Sequence, residues 1–392
     1  MNPAVRDSRA RSCQSGPVTT TPAAGRDRFA DLLRTAALGA VILGHWTMAA
    51  VRTDDAGEVR VGNVLSVAPA LWPVTWVLVL IPLFFLVGGF SNATSLARAR
   101  ARGAASGAWV RARLGGLLRP VVPFVLLVLA AVGAALAAGA PRELVLTVAV
   151  VLLMPMWFVV VYAVLAALTP TMLRLDARFG ARVPVAMALG AIGVDAVRIV
   201  SDQPFAGYLN YVLVWGLAQQ LGFAYRDGRL LRLPRRTVAV GFVLALLAMA
   251  AAAASPWWAE SMVGTAGQRS PMNPPSTLAM LHVLVQTAAV LLLRPALVHH
   301  LDGPRLAPVL DRAAALSMRA FLWHLPVAVV LIGGWLAAGL PLPEPGSATW
   351  WWTRPPYLAA LGAALWLVLL AGDRLRPASR GARRERQAER AG

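Results

Sequence analysis

Ten apolar segments follow one another along this chain, separated by charged or Pro/Gly-rich breaks. Most of them approach the length of about 20 residues that a helix needs to cross a bilayer. With 58% hydrophobic and 14% charged residues, the 392-residue chain could not hide its apolar surface in a water-soluble core. The sequence therefore predicts an all-α, polytopic integral membrane protein with about ten transmembrane helices. The predicted spans are 32–51, 71–92, 119–139, 144–168, 184–200, 208–224, 237–255, 278–298, 314–338 and 356–372.

All 37 basic residues are arginines, and their distribution orients the predicted spans. If the N-terminus lies in the cytoplasm, 27 arginines fall in cytoplasmic tails and loops, 5 in outer loops and 5 within spans. Cytoplasmic loops of membrane proteins are enriched in basic residues, so both termini are expected inside. This topology accounts for the net charge of +19. The expected partner is membrane lipid and not nucleic acid, and the expected location is a bacterial plasma membrane.

The chain divides into a polar tail, a membrane domain and a second polar tail. Residues 1–28 are rich in Ser, Thr, Pro and Arg and predict a disordered cytoplasmic tail. Residues 29–373 form the predicted transmembrane domain, and residues 374–392 a basic cytoplasmic tail. The first apolar run is not a typical secretory signal, because about 30 residues precede it. The only cysteine, Cys13, excludes a disulfide or a thiolate metal site within one chain.

Two ionisable residues, Arg34 and His45, lie in the first predicted span. Eleven residues make close to three helical turns, so both side chains share one face, about 20° and about 16 Å apart. An ionisable group at membrane depth is costly, and it is usually retained because it handles protons, substrate or ions. His45 is therefore the first functional candidate. The alternative is a histidine whose hydrogen bonds are satisfied by a neighbouring helix.

Other intramembrane polar residues allow two interpretations each. Asp195 and Arg198 are three residues apart in the fifth span, and they either position a substrate or neutralise each other. Trp157 either stacks on a substrate or packs in the bundle. His324 precedes Pro326, which frees backbone carbonyls that a histidine can satisfy, so a structural or supporting role is favoured over a catalytic one, and contact with the substrate is its other interpretation. The sequence has no nucleophile elbow, P-loop or zinc-binding helix, and we expect no metal and no bound cofactor.

Six stretches resemble, in the same order, the acyltransferase 3 family of membrane-bound O-acyltransferases. They are RDRFADLLRTAALGAVILGHW, PLFFLVGGFSNAT, RARLGGLLRPVVPF, MPMWFVVVYAVLAALTP, NPPSTLAMLH and MRAFLWHLPV. The resemblance extends from about Arg28 to Arg374. It implies ten core helices with both ends cytoplasmic. It also implies transfer of an acyl group from a cytoplasmic donor, often acyl-CoA, to acceptors commonly displayed outside, typically sugar hydroxyls.

The family's first-helix pattern, an arginine or lysine followed by ten residues and a histidine, corresponds here to Arg34 and His45. The resemblance thus implies that His45 is the catalytic base and that Arg34 holds the donor. Histidine, with an ordinary pKa of about 6.5, suits a general base at neutral pH.

The paired-arginine motif of the family, R-x-x-R before the third helix, is incomplete in this chain. Its first arginine corresponds to Arg113, but its second position is Gly116. Arg111 and Arg119 flank the gap, and several arginines near one surface can share the binding of a phosphate. We therefore expect Arg111, Arg113 and Arg119 to bind the donor.

These features favour an integral membrane O-acyltransferase that moves a short acyl group, such as acetyl, from acyl-CoA to a hydroxyl of a glycan, glycolipid or glycosylated metabolite. One alternative is a multispan transporter with His45 on a proton or substrate path; it would be favoured by inverted repeats and broken helices, neither of which is clear in the sequence. Another is a non-catalytic export component, which Gly116 favours and the intact Arg34 and His45 oppose. The acyl chain, the acceptor and the oligomeric state stay open.

Overall fold

The computed structural model of the protein describes residues 27–54, 57–201, 203–265, 270–301 and 303–374. Within these ranges the chain forms twelve α-helices and one two-stranded antiparallel sheet. The strands are β1 (Ala49–Thr53) and β2 (Val59–Asn63). The predicted tails, 1–28 and 374–392, lie outside the described residues except at their inner ends. The helices are α1 (Arg28–Met48), α2 (Trp72–Leu78), α3 (Ile81–Ala101), α4 (Ser106–Ala137), α5 (Arg142–Leu153), α6 (Met156–Phe179), α7 (Arg182–Val200), α8 (Asn210–Arg226), α9 (Arg235–Ala253), α10 (Thr277–Leu301), α11 (Leu306–Ala337) and α12 (Ala348–Arg374).

Each of the ten predicted apolar segments lies mainly in helical structure, which confirms the polytopic helical class. Eight helical stretches of the described residues are long and apolar enough to cross a membrane. The other two predicted spans are α1 and α8. The apolar sequence of α1 is interrupted by Asp31, Arg34 and His45, and α8 has only 17 residues. Ten membrane crossings, and the orientation of the termini, stay predictions.

The predicted end of the first span, Val51, is wrong. Helix α1 ends at Met48, and the next five residues form β1, which pairs with β2. Gly57, at a φ of +77°, lies in the turn between the strands, and Arg60 Nε donates to Asp54 Oδ2 at 2.8 Å. Ala49, Ala50 and Val51 are apolar, so hydropathy does not distinguish them from a last helical turn; their pairing with β2 does.

Two predicted spans, 71–92 and 144–168, are each broken into two helices. Helix α2 ends at Leu78 before α3 begins at Ile81, and α5 ends at Leu153 before α6 begins at Met156. Pro155, at the second break, has no N–H to continue a helical hydrogen-bond pattern. No broken helix was predicted clearly from the sequence, so both breaks correct that expectation.

The closest helix crossing of the bundle joins α3 and α8 through glycines. A Cβ atom built on Gly89 of α3 would lie 2.2 Å from the carbonyl oxygen of Gln219, and one built on Gly222 of α8 would lie 2.1 Å from that of Leu86. Real Cβ contacts are never this short, so the two backbones approach each other only because both positions are glycine. Small residues commonly allow such close packing between membrane helices.

We expect Gly89→Ala to destabilise the protein, because its methyl group would overlap backbone atoms of α8 that no side-chain rotation can move. Overpacking of this kind costs on the order of 1–3 kcal/mol. Gly241→Ala is the matched control, since a Cβ there has nothing within 4 Å among the described residues. Thermal unfolding of both purified variants in detergent checks this. A Gly89→Ala protein that melts at the wild-type temperature would contradict the packing.

Helix α1 carries residues of two buried clusters and so links them. Near its start, Phe29 and Leu33 pack with Leu83 of α3. Further along, Ile42 and Trp46 belong to a cluster built with α4, α11 and α12. His45 consequently lies where α1 meets α11.

Candidate active site

His45 contacts a second histidine, His324 of α11. His45 Nδ1 and His324 Nε2 are 2.9 Å apart, and the two rings lie nearly parallel, with an interplanar angle of 10° and centroids 5.1 Å apart. His324 is fully buried, at 0% exposure, whereas His45 is partly exposed. Both residues are candidates from the sequence, but no sequence pattern pairs them.

The hydrogen bonds of this pair determine which ring nitrogen carries hydrogen. His324 Nδ1 lies 2.6 Å from the backbone oxygen of Phe321, which can only accept, so Nδ1 must donate. With both rings neutral, His324 Nε2 then carries no hydrogen and accepts from His45 Nδ1. This leaves Nε2 of His45 with a lone pair, and it has no hydrogen-bond partner among the described residues. A histidine in this form can accept a proton at Nε2.

The neighbour of His45 fixes the two helices against each other. Trp46 Nε1 donates to the backbone oxygen of His324 at 2.9 Å, and Trp46 is only 3% exposed. Consecutive residues of α1 thus contact the side chain and the backbone of the same residue of α11. A small movement between α1 and α11 would disturb both contacts, so the orientation of His45 depends on this packing.

An apolar cavity of about 70 Å³ opens beside His45. A water molecule needs roughly 10–15 Å³, so the cavity can hold a few atoms of a ligand but not a large group. Both helix breaks border it, through Ile81 after the first and Met154 and Pro155 at the second. Trp157, predicted to contact substrate, also lines it. Within this lining His45 is the one residue with an ionisable side chain.

Arg34, nearer the start of α1, belongs to a polar cluster at that end of the bundle. Its Nη2 donates to Ser91 Oγ of α3 at 2.7 Å, and its Nη1 lies 3.8 Å from Asp31 Oδ1. The arginine side chain is 32% exposed. Arg34 is therefore held in place on one side and accessible on the other, and it remains about 16 Å along α1 from His45.

Asn92, the residue after Ser91, contacts Arg113, another arginine predicted to bind the donor. Arg113 of α4 donates from Nε to Asn92 Oδ1 at 2.9 Å and from Nη2 to Tyr162 Oη at 2.7 Å. Asn92 is fully buried, and its Nδ2 has no partner among the described residues. The other two arginines of the predicted set, Arg111 and Arg119, are exposed on α4. Arg113 alone of the three is tied to α3 and α6.

Asp195 and Arg198 form a buried pair in another part of the bundle. The two side chains are 3.8 Å apart, and Asp195 Oδ2 also accepts from the Thr277 hydroxyl at 2.8 Å, while Asn210 Nδ2 donates to Oδ1 at 3.1 Å. The guanidinium of Arg198 lies 5.2 Å from the ring centre of Trp258. These contacts link α7, α8 and α10, and neither residue lines the cavity at His45. The arrangement favours a structural role.

Several residues of the site were not singled out from the sequence. Ser91 and Asn92 form part of the quoted FSNAT stretch, and two polar residues inside an apolar helix are a signal that could have found them. Tyr162 and Phe321 lie in apolar sequence, and nothing local marks them. Among the residues that the structure describes, no three His, Cys, Asp or Glu side chains come together in a group that could hold a metal ion.

Comparison with protein families matches residues 27–374 to the acyltransferase 3 family, described as an acyltransferase domain. Comparisons with curated proteins and with solved structures give no match. The family match covers nearly the whole chain, including α1 with Arg34 and His45 and α11 with His324. It confirms the resemblance found in the sequence. This multi-pass membrane protein belongs to the acyltransferase 3 family.

Proposed function

We propose that this protein is an O-acyltransferase of the bacterial plasma membrane, which moves a short acyl group from acyl-CoA to a hydroxyl of a glycan, glycolipid or glycosylated metabolite. The observation that carries the proposal is the Nε2 lone pair of His45, whose ring is held through Nδ1 by His324 beside an apolar cavity. The size of the cavity, about 70 Å³, favours an acetyl or similarly short acyl group.

The reaction needs one proton to move twice. His45 Nε2 takes the proton of the acceptor hydroxyl while the hydroxyl oxygen forms a bond to the thioester carbonyl carbon. The C–S bond then breaks, and the proton on His45 passes to the leaving CoA sulfur. His324 accepts the hydrogen bond of His45 Nδ1 throughout and stabilises the positive ring formed in between.

The donor approaches from the end of the bundle where Arg34 and Arg113 lie. Acyl-CoA carries several phosphates, and guanidinium groups bind phosphate through charge-assisted, often paired hydrogen bonds. The distance of about 16 Å along α1 can be spanned by the extended pantetheine arm of the donor. The acyl group would then reach His45 while the phosphates stay near the aqueous surface.

The direct test uses purified protein in lipid vesicles, supplied with radiolabelled acetyl-CoA and candidate glycan or glycolipid acceptors. The expected result is label in the acceptor, absent without protein. A transporter, which the broken helices beside the cavity would also suit, would move a solute without forming acylated product. A non-catalytic export component would form no product either, so consistent absence of labelled acceptor would contradict the proposal.

The same proposal places both termini in the cytoplasm, because the arginines are concentrated on that side. In a Cys13→Ser background, Glu344→Cys should react with an impermeant maleimide added to intact cells, and Arg232→Cys should not. Both positions are exposed, in the connections after α11 and α8 respectively. Permeabilised cells, in which both should react, provide the control. The reverse labelling pattern would overturn this orientation.

We expect Arg34→Ala to raise the KM for acyl-CoA by about tenfold, the effect of losing one charge-assisted contact to a partly exposed group. The KM for the acceptor should change much less, since Arg34 is far from the predicted outer side. Ser91→Ala removes only the 2.7 Å hydrogen bond that holds Arg34, and should give a smaller increase. An unchanged donor KM in a folded Arg34→Ala protein would argue against donor binding.

A further inference from the structure

A second and larger cavity, of about 300 Å³, lies at the end of the bundle opposite Arg34. Its walls come from the segment after α1, the second half of α11 and the first half of α12, and we call it the α11–α12 cavity. Ala49 lines it and follows His45 by four residues, about 6 Å along the chain direction of α1. Leu331 lines it and follows His324 by seven residues, about 10 Å. Both helices that carry the histidine pair thus lead to this cavity.

Its wall contains a cation, Arg354, that has no anionic partner among the residues that the structure describes. The guanidinium carbon of Arg354 lies 3.9 Å from the ring centre of Trp350 and 4.6 Å from that of Tyr357. Arg354 Nε and Tyr357 Oη are both buried and have no hydrogen-bond partner within the described ranges. Glu344, the acidic residue that follows the lining residue Pro343, is exposed and forms no ion pair with Arg354. Buried donors without acceptors are costly, so this pair of groups is suited to an anion.

The remainder of the wall is mostly apolar, with Leu331, Ile332 and Trp335 on α11. Next to the cavity on α12, Trp352 is 82% exposed. Exposed tryptophans are enriched at the boundary between lipid and water, where the polar heads of amphiphiles lie. A ligand matching both parts of the wall carries an anionic group on an apolar body.

We propose that the α11–α12 cavity binds the phosphate or carboxylate of an amphiphilic acceptor, with the anion against Arg354 and Tyr357 and the apolar body against α11. This inference rests on the proposed function, because it makes the ligand the acceptor whose hydroxyl reaches His45. It deepens that function by giving the acceptor class: an acidic, lipid-like molecule, in preference to a neutral soluble sugar.

The first experiment measures binding without any acyl transfer. Dodecyl phosphate is titrated against the full chain in neutral dodecyl maltoside, with tryptophan fluorescence as the readout. Arg354→Gln should raise the Kd by at least about tenfold, because a charge-assisted hydrogen-bonded contact is lost. Arg312→Gln is the matched control: its guanidinium carbon lies 4.8 Å from the ring centre of Trp366, and neither residue lines the cavity. An equal Kd for wild type and Arg354→Gln overturns the site.

Two further measurements test the same site. If Arg354→Gln does not fold, Thr353→Cys in the Cys13→Ser background replaces it; Thr353 lines the cavity, so dodecyl phosphate should slow its modification by maleimide, and an unchanged rate overturns the site. Inorganic phosphate distinguishes the source of the anion. It should bind at least about tenfold more weakly than dodecyl phosphate, since it buries no apolar surface; equal affinity overturns the amphiphile.

Acyl transfer is measured separately, so the two proposals can fail separately. With an acidic glycolipid acceptor, Arg354→Gln should raise the acceptor KM and leave the KM for acetyl-CoA unchanged. Arg354-dependent binding of dodecyl phosphate without any transfer by the wild type contradicts the acyltransferase proposal and the acceptor assignment, and leaves an anion site. Transfer with an unchanged acceptor KM in Arg354→Gln contradicts this site and leaves the acyltransferase.

Discussion

Replacing His45 by alanine should lower the rate of acyl transfer by about 10²–10⁴-fold, the usual contribution of a general base. His324 donates from Nδ1 to the backbone oxygen of Phe321 and accepts at Nε2 from His45 Nδ1. Nε2 of His45 therefore keeps its lone pair, and it is the one basic side-chain nitrogen in the lining of the apolar cavity. Without it, the acceptor hydroxyl has no group to take its proton. The loss should appear in kcat, while acyl-CoA should still bind, because Arg34 and Arg113 are held by residues of α3.

The control is His45→Gln, which retains some hydrogen bonding but cannot act as a base at neutral pH. It should be nearly as inactive as the alanine variant. Thermal unfolding and membrane insertion of both variants separate loss of chemistry from loss of structure. Product formation near the wild-type rate by folded His45→Ala would rule out His45 as the base.

The helices could be predicted from the sequence because each needs only local information, a run of apolar residues long enough to cross a bilayer. The ends of the helices and the breaks within the spans were harder to predict from the sequence. The chain at Val79 and Leu80 is as apolar as the helices on either side, so hydropathy does not reveal the break there. Pro155 lies at the second break, but prolines also lie inside the continuous helices α4, α6, α10 and α11, so a proline alone does not predict a break. The strand β1 depends on its pairing with β2, which the composition of Ala49–Thr53 does not indicate.

The candidate site shows the same division between local and distant information. Arg34 and His45 are eleven residues apart, so helical periodicity alone places them on one face. His324 is 279 residues from His45, and no periodicity relates the two. The sequence placed His324 among supporting residues on the basis of Pro326. Its position against His45 is visible only once α1 packs on α11. The partners of Arg113, Asn92 and Tyr162, depend on packing in the same way.

His324 should act as a positioning residue, through His45 and not on the substrate. His324→Ala removes the acceptor of the 2.9 Å hydrogen bond from His45 Nδ1, so the ring loses its fixed orientation and tautomer. Hydrogen-bond partners that orient metal-binding histidines are typically worth 10–100-fold, and by the same physical reasoning we expect a loss of about 10²-fold in kcat with little change in the KM for acyl-CoA. His324→Gln, whose amide oxygen can accept the same hydrogen bond, should recover part of this rate.

A double-mutant cycle distinguishes positioning from a general structural role. If His324 works only through His45, adding His324→Ala to His45→Ala should cost no further activity, because the base that it orients is already absent. A merely structural His324 would instead lower total activity by the same factor in both backgrounds, in proportion to the protein lost through unfolding, and the rate per folded molecule would not change in either. Residual rates of the single and double variants, each divided by the amount of folded protein, decide between the two. If His324→Ala lowers activity by the same factor with and without His45, the positioning role is refuted. A loss confined to the background that retains His45 would establish the two histidines as one unit.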